Sequence, residues 1–271
     1  MSSAHVPSIS PIGDPLTDDL EDHFALDGYL ILPGLIPCDL VERLKPEVDL
    51  WSDDGFREAS IDAALSGSTT GPSLIELEMP AHGELACLPD LMRVLEQLLG
   101  PSFAFHHMHS CRQDPDVESK PWHHDYEGLT STSREGLMVH TLCYLNGLTV
   151  EVSPLVIVPG SHRRLATKQE LVRLGTRRLD GEVVIDSLPP GSVVLAHSAL
   201  WHARRKSLND SESRYFIDTS YCQAGFPWKP VKPYWRDILR RARELGLGGP
   251  TYQQLFDETA FVEYEAASGS Q

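Results

Sequence analysis

The chain has 271 residues, of which 41% are hydrophobic and 23% charged, an ordinary globular composition. Its net charge of −16 excludes the basic footprint that nucleic acid or an anionic membrane requires, and disfavours a polyphosphate-bearing substrate such as a coenzyme A thioester. No run approaches the roughly 18 apolar residues of a membrane helix, so the expected partner is a small-molecule substrate, with no nucleic acid and no membrane.

The opening stretch, MSSAHVPSISPIGDP, has neither a basic n-region nor an apolar h-region. No signal peptide is expected, and residues 1–18 read as a mobile leader before one domain at 19–262 and a mobile tail at 263–271. The first ordered element is a strand, YLILP (29–33), followed by a helix from about Pro37 to Trp51. Pro37 suits a first turn, but Pro46 lies inside and should kink or end the helix. Residues 52–86, rich in Gly, Ser and acidic side chains, read as a long loop or lid. LPDLMRVLEQLLG then places Leu91, Val94, Leu95 and Leu98 at helical spacing, with Gly100 as the stop.

After Gly100 the pattern turns to β. SFAFHHMHSCR, GLMVHTLCYLNG, SPLVIVPGS, GEVVIDSL, GSVVLAHS and SRYFIDTSYC are short β-branched or aromatic runs punctuated by Gly, Pro, Asn and Ser. A last helix spans about Tyr234 to Leu245. The expected fold is therefore mainly β with flanking helices, a jelly-roll (double-stranded β-helix, cupin-like) barrel with a small-molecule site in its mouth. The five cysteines (Cys38, Cys87, Cys111, Cys143, Cys222) are scattered and contain no C-x-x-C pair, which suits reduced thiols in a cytoplasmic protein.

The stretch PWHHDYEG (121–128) carries the chemistry. On extended chain His123 and Asp125 share a face while His124 points away. A third ligand must come from a distant strand, and GSVVLAHSALWH offers His202 first and His197 second. Two histidines and a carboxylate on one face of a metal are the facial triad of non-haem iron(II) oxygenases, with positions left open for a 2-oxo acid and dioxygen. The far carboxylate of 2-oxoglutarate needs a planar bidentate cation. Arg214, twelve residues beyond His202 at the start of the next strand, is placed to serve if the two strands pair antiparallel.

Four blocks in order carry a family resemblance: DGYLILPGLI from Asp27, WHHD at 122–125, PLVIVPGSHRR at 154–164, and GSVVLAHSALWH followed by Asn209 and Arg214. From Asp27 to Tyr221 the chain resembles the phytanoyl-CoA dioxygenase-like family of iron(II)- and 2-oxoglutarate-dependent oxygenases. The resemblance implies His123, Asp125 and His202 as iron ligands and Arg214 as the binder of the 2-oxoglutarate distal carboxylate. It also implies Fe(II), 2-oxoglutarate and O2 as cofactor and co-substrates, and His162 beside the co-substrate. In one departure, Val152-Ser153 stands where the family commonly has Asn-Gly, and Asn146-Gly147 is the alternative turn. Related halogenases lack the carboxylate, so Asp125 implies hydroxylation, or epimerisation, desaturation or oxidative cyclisation, of a small metabolite in natural-product tailoring.

Further candidates follow from strand alternation. His140 and Thr141 face opposite ways, and either is a candidate to bond the co-substrate; Arg112, His124 and Trp201 are candidate substrate contacts. His106, His107 and His109 read as satisfied interior histidines or, less simply, a second metal site. The run ARRKS (203–207) reads as a solvated loop. Two other readings keep the barrel: a cupin-type zinc or manganese isomerase or hydrolase, in which Arg214 has no role, and a non-catalytic metal-binding barrel.

Overall fold

The computed structural model describes residues 19–66, 72–115, 117–128, 135–206 and 212–265. Expectations about the leader at 1–18, about Asn209 and about the last six residues lie outside them. The strands are β1 (Tyr29–Leu32), β2 (Phe103–Gln113), β3 (Lys120–His123), β4 (Met138–Tyr144), β5 (Leu155–Ile157), β6 (Val183–Ile185), β7 (Ser192–His197), β8 (His202–Arg204) and β9 (Arg214–Gln223). They form two antiparallel sheets, a major one ordered β1-β7-β4-β9-β2 and a minor one ordered β3-β8-β5-β6.

Alternation on the major sheet explains where the core sits. Val139, Cys143, Val193, Leu195, Ile217 and Tyr221 pack on the helices, while Leu142, Tyr144, Val194 and Ala196 pack with Leu155, Ile157 and Ile185 of the minor sheet. Buried on both faces, β4 and β7 place apolar residues at successive positions, as in Val193-Val194-Leu195-Ala196. The jelly roll is as expected, but among the described residues no strand pairing joins the sheets into a closed barrel. The minor strands are only three or four residues long, too short to carry a ladder round the corner.

The helices are α1 (Asp19–Asp27), α2 (Cys38–Asp53), α3 (Phe56–Leu65), α4 (Pro80–Leu85), α5 (Pro89–Leu99), α6 (Lys168–Val172) and α7 (Trp235–Glu244). Helix α2 runs through Pro46 instead of ending there. The missing bond and ring clash cost about 3 kcal/mol; burial of Leu40, Val41, Leu44, Val48 and Trp51, at about 1.5–3 kcal/mol each, outweighs it. The stretch 52–86 is not one long loop: α3, a 3-10 turn at Glu76–Glu78 and α4 occupy most of it. The tail is also partly anchored, since Glu263 pairs with both terminal nitrogens of Arg236 at 2.6 and 2.8 Å and Tyr264 packs on the core. None of the described helices is long and apolar enough to cross a membrane.

Candidate metal centre and co-substrate site

Strand β3 pairs with β8 so that His123 lies directly opposite His202. Trp122 on β3 and Ala203 on β8 turn outward into an apolar cluster with Val156, which leaves both imidazoles facing the major sheet. Their ring centroids are 4.0 Å apart. Asp125 follows two residues after His123, its main-chain N–H held by the Ser198 carbonyl at 2.7 Å. Asp125 Oδ2 lies 3.1 Å from His202 Nε2 and 3.8 Å from His123 Nε2, and the donor atoms of all three residues lie within 4.8 Å of one another.

The tautomers follow from the backbone. His123 Nδ1 donates to the Pro121 carbonyl at 2.8 Å and His202 Nδ1 to the Leu200 carbonyl at 3.0 Å, so the Nε2 atoms converge on Asp125. Burial, and then the neighbouring His202, pushes the His123 imidazole down to about 3, which leaves its Nε2 lone pair free. That nitrogen is buried without a hydrogen-bond partner. Burial works against the Asp125 carboxylate, but His202 and His123 hold it well below the usual range. Two imidazole Nε2 atoms and a carboxylate oxygen are a donor set that fits a divalent cation, and the Nδ1–carbonyl bonds are the outer-shell supports such ligands need.

At the other end of the inter-sheet space is Arg214, 4% exposed. Its Nη1 donates to the Ser153 carbonyl at 2.9 Å, and its guanidinium lies 4.9 Å over the Tyr144 ring and 4.8 Å over the Phe216 ring. Arg214 Nε and Tyr144 Oη are buried without hydrogen-bond partners, so the pocket offers donors with nothing of the protein to receive them. A carboxylate fits that donor set. His202 and Arg214 do not lie on paired strands as expected: β8 and β9 belong to facing sheets, and Arg214 lies opposite Gln113 of β2.

Between these ends the inner face of the major sheet carries a second group, His107, His140 and Asp218, again within 4.8 Å. The carboxylate that strand β2 lacks comes from β9. His140 Nδ1 meets Asp218 Oδ2 at 2.9 Å and the Ser220 hydroxyl at 2.9 Å. Burial alone would lower the His140 imidazole, yet Asp218 holds it up at about 9, so the ring is cationic at neutral pH. His107 Nδ1 meets His106 Nδ1 at 2.8 Å, where a register shift in β2 puts adjacent histidines in contact.

Residues 24–214 match the sequence family described as phytanoyl-CoA dioxygenase (PhyH). The chain belongs to the PhyH family. Its class is that of iron- and 2-oxoglutarate-dependent oxygenases. No curated protein matches the sequence of this PhyH member. Among solved structures it resembles SnoN, the non-haem alpha-ketoglutarate-dependent epimerase of nogalamycin biosynthesis, at 18% identity and TM-score 0.55, over 78% of this chain and 84% of that one. HygX from Streptomyces hygroscopicus, with nickel and 2-oxoglutarate bound, has 19% identity and TM-score 0.58 over 78% and 88%. EctD from S. alaskensis, with 2-oxoglutarate and 5-hydroxyectoine, has 20% identity and TM-score 0.58 over 84% and 81%.

Several side chains singled out in this PhyH chain lie away from the site. Thr141 faces the helices with Val139 and Cys143, its hydroxyl donating to the Thr219 carbonyl at 2.8 Å, so only His140 of that pair faces between the sheets. Arg112 turns to Asp49, Asp53 and Asp114 at 2.6–2.9 Å, three carboxylates that occupy its guanidinium. His124 is committed to the backbone through both nitrogens, with Nε2 donating to the Ala166 carbonyl at 2.9 Å and Nδ1 accepting the Tyr126 N–H at 3.3 Å. Trp201 faces the outer side of the minor sheet, where it lines a cavity of about 560 Å³ with Arg164, Leu171 and Leu179. That cavity is on the far side of the sheet from the histidines. His197 accepts the Ala199 N–H at 3.0 Å and lies against Phe24 and His162, not against Asp125. His162 donates from Nε2 to the Ala25 carbonyl at 3.1 Å, so it braces α1, not a co-substrate.

One interior residue reads as loop in the sequence. Arg204 ends β8, two residues past His202 and on the same face. The alternation that pairs His123 with Asp125 also marks Arg204, once β8 is recognised as a strand.

Proposed function

We propose that this chain oxidises an unactivated C–H bond of a small metabolite, with His123, Asp125 and His202 holding iron(II) and Arg214 holding the distal carboxylate of 2-oxoglutarate. The observation that carries this reading is the convergence of two imidazole Nε2 atoms on one carboxylate oxygen, one of them buried without any protein partner. When bound, iron(II) with 2-oxoglutarate and dioxygen supplies the oxidising equivalent, the 2-oxo acid leaving as succinate and carbon dioxide.

The chain's own residues supply position and dryness. The carbonyls of Pro121 and Leu200 orient the two imidazoles, and the Ser198 carbonyl fixes the main chain of Asp125. Leu142, Val194, Leu155 and Ile157 line the space between the sheets and exclude water from it. The His140 imidazolium is a cationic donor between the metal ligands and Arg214, suited to the reactive end of the 2-oxo acid.

SnoN binds nogalamycin RO and EctD binds 5-hydroxyectoine, both small molecules. With a net charge of −16, a neutral or polar metabolite of that kind suits this chain better than an acyl-CoA. The outcome is hydroxylation, or epimerisation, desaturation or ring closure from the same C–H cleavage. All five cysteines are free, which suits a cytoplasmic enzyme.

The test needs no substrate. Iron(II) is added anaerobically to the apo protein, followed by 2-oxoglutarate. A weak visible charge-transfer band, and slow succinate formation once air is admitted, is the expected result. Iron binding without the band would overturn the co-substrate assignment and the role of Arg214.

A further inference from the structure

Resting on that co-substrate reading, we infer that Arg204 and Arg214 together clamp the distal carboxylate of the 2-oxo acid, with the Tyr144 hydroxyl as a third donor. Arg204 lies opposite Leu155 on β5, and Ser153, two residues before Leu155, holds Arg214 through its carbonyl. Both guanidiniums therefore reach the same end of the inter-sheet space.

Among the described residues both guanidiniums meet main-chain carbonyls. Arg204 donates from Nη2 to the Glu118 main-chain carbonyl at 2.9 Å, and Arg214 from Nη1 to that of Ser153. Among the described residues no carboxylate stands within ion-pair distance of either. Arg204 Nε, Arg214 Nε and Tyr144 Oη are all buried and unpartnered. Burial, followed by the like charge of Arg214, lowers the Arg204 guanidinium from its usual value. Burial also pushes the Tyr144 hydroxyl up to about 12, so it stays a donor at working pH.

A buried and a half-buried cation facing each other repel unless an anion joins them. Other half-buried arginines, Arg112, Arg205 and Arg241, each meet a carboxylate of the chain itself. Arg204 and Arg214 instead present buried, unpartnered Nε atoms, which marks a site built for an anion from outside. Two forks and a hydroxyl would satisfy a carboxylate on both oxygens, and would penalise any 2-oxo acid that ends in a methyl group.

The experiment compares 2-oxoglutarate with 2-oxopentanoate, which has the same chain length and no distal carboxylate, by titrating the charge-transfer band of the anaerobic iron(II) protein. Arg204→Gln should weaken 2-oxoglutarate about tenfold or more and leave 2-oxopentanoate unchanged, while Arg204→Lys restores part of the loss. Unchanged 2-oxoglutarate affinity, or equal loss for both acids, would overturn the clamp. Thermal unfolding of both variants checks that the fold is kept. Failure of the wider reading looks different: the unmodified protein would then give no band with either acid, and the clamp would fall with it.

Discussion

At the residue scale, adjacent histidines divide the work of PWHHDYEG between them. His123 presents a bare Nε2 to Asp125, whereas His124 spends both nitrogens on the backbone. Replacing His202 by Ala should abolish stoichiometric iron binding, measured by metal analysis, and leave the melting temperature nearly unchanged. His124→Ala should do the reverse: iron stoichiometry is kept, while two buried backbone bonds are lost at a cost of about 1–3 kcal/mol, read by denaturant unfolding. Thr141→Val should cost about 1 kcal/mol and leave 2-oxoglutarate affinity unchanged in the same band titration, because its hydroxyl bonds the Thr219 carbonyl on the helix-facing side. The departure at Val152-Ser153 also resolves at this scale. Asn146-Gly147 is the tight turn, with Gly147 at φ 76° and its nearest backbone too close for a side chain. Ser153 nonetheless keeps a positive φ of 25°, the sole non-glycine to do so among the described residues, and it is held there by Arg214.

At the element scale, the helices are tied to the major sheet by a buried polar chain. Glu47 on α2 accepts from the main-chain N–H groups of Ala81 and His82, both at 3.0 Å, and meets His82 Nδ1 at 2.8 Å. His82 Nε2 in turn meets the Ser110 hydroxyl of β2 at 3.0 Å. Burial opposes the Glu47 carboxylate, but these bonds lower it below its ordinary value. A depressed carboxylate stabilises the fold above its unfolded pKa of about 4.3, and that contribution is lost as pH falls through the folded value. Glu47→Gln should therefore cost about 1–2 kcal/mol at pH 7 in urea unfolding, with the gap to the parent protein closing in acid below about pH 4. A second tie joins α1 to the PGSH turn. Gly28 has φ +81°, and a methyl there would stand 2.4 Å from His162 Nδ1. Gly28→Ala should destabilise by about 2–3 kcal/mol in the same assay, since strain and clash add.

The elements also show why some structure was legible and some was not. Strands β2, β4, β7 and β9 announce themselves because their longer β-branched and aromatic runs are visible without their partners. Strands β3 (KPWH) and β8 (HAR) have too few apolar residues to be recognised alone, and exist because each completes the other. The three residues proposed as metal ligands were legible from spacing and resemblance. Arg204 was not, because its strand was not. Helices α3 and α4 hide in a stretch whose Gly and Ser content resembles a loop, and α4 itself carries Gly83.

At the scale of the whole molecule, the fold separates two faces of one minor sheet. The inner face carries the proposed ligands; the outer carries Trp122, Trp201 and a cavity of about 560 Å³ in which none of the three proposed ligands takes part. Trp201→Phe should therefore leave the iron and 2-oxoglutarate titrations unchanged, and a loss of either would link the two faces. The guanidiniums of Arg204 and Arg214, which meet no carboxylate among the described residues, sit inside a chain whose net charge is −16. A dianionic acid approaching from solvent meets repulsion first and attraction only near the end of its path. Its encounter rate should then rise with added salt, as the outer field is screened over a Debye length of about 10 Å at 0.1 M, the opposite of ordinary electrostatic steering.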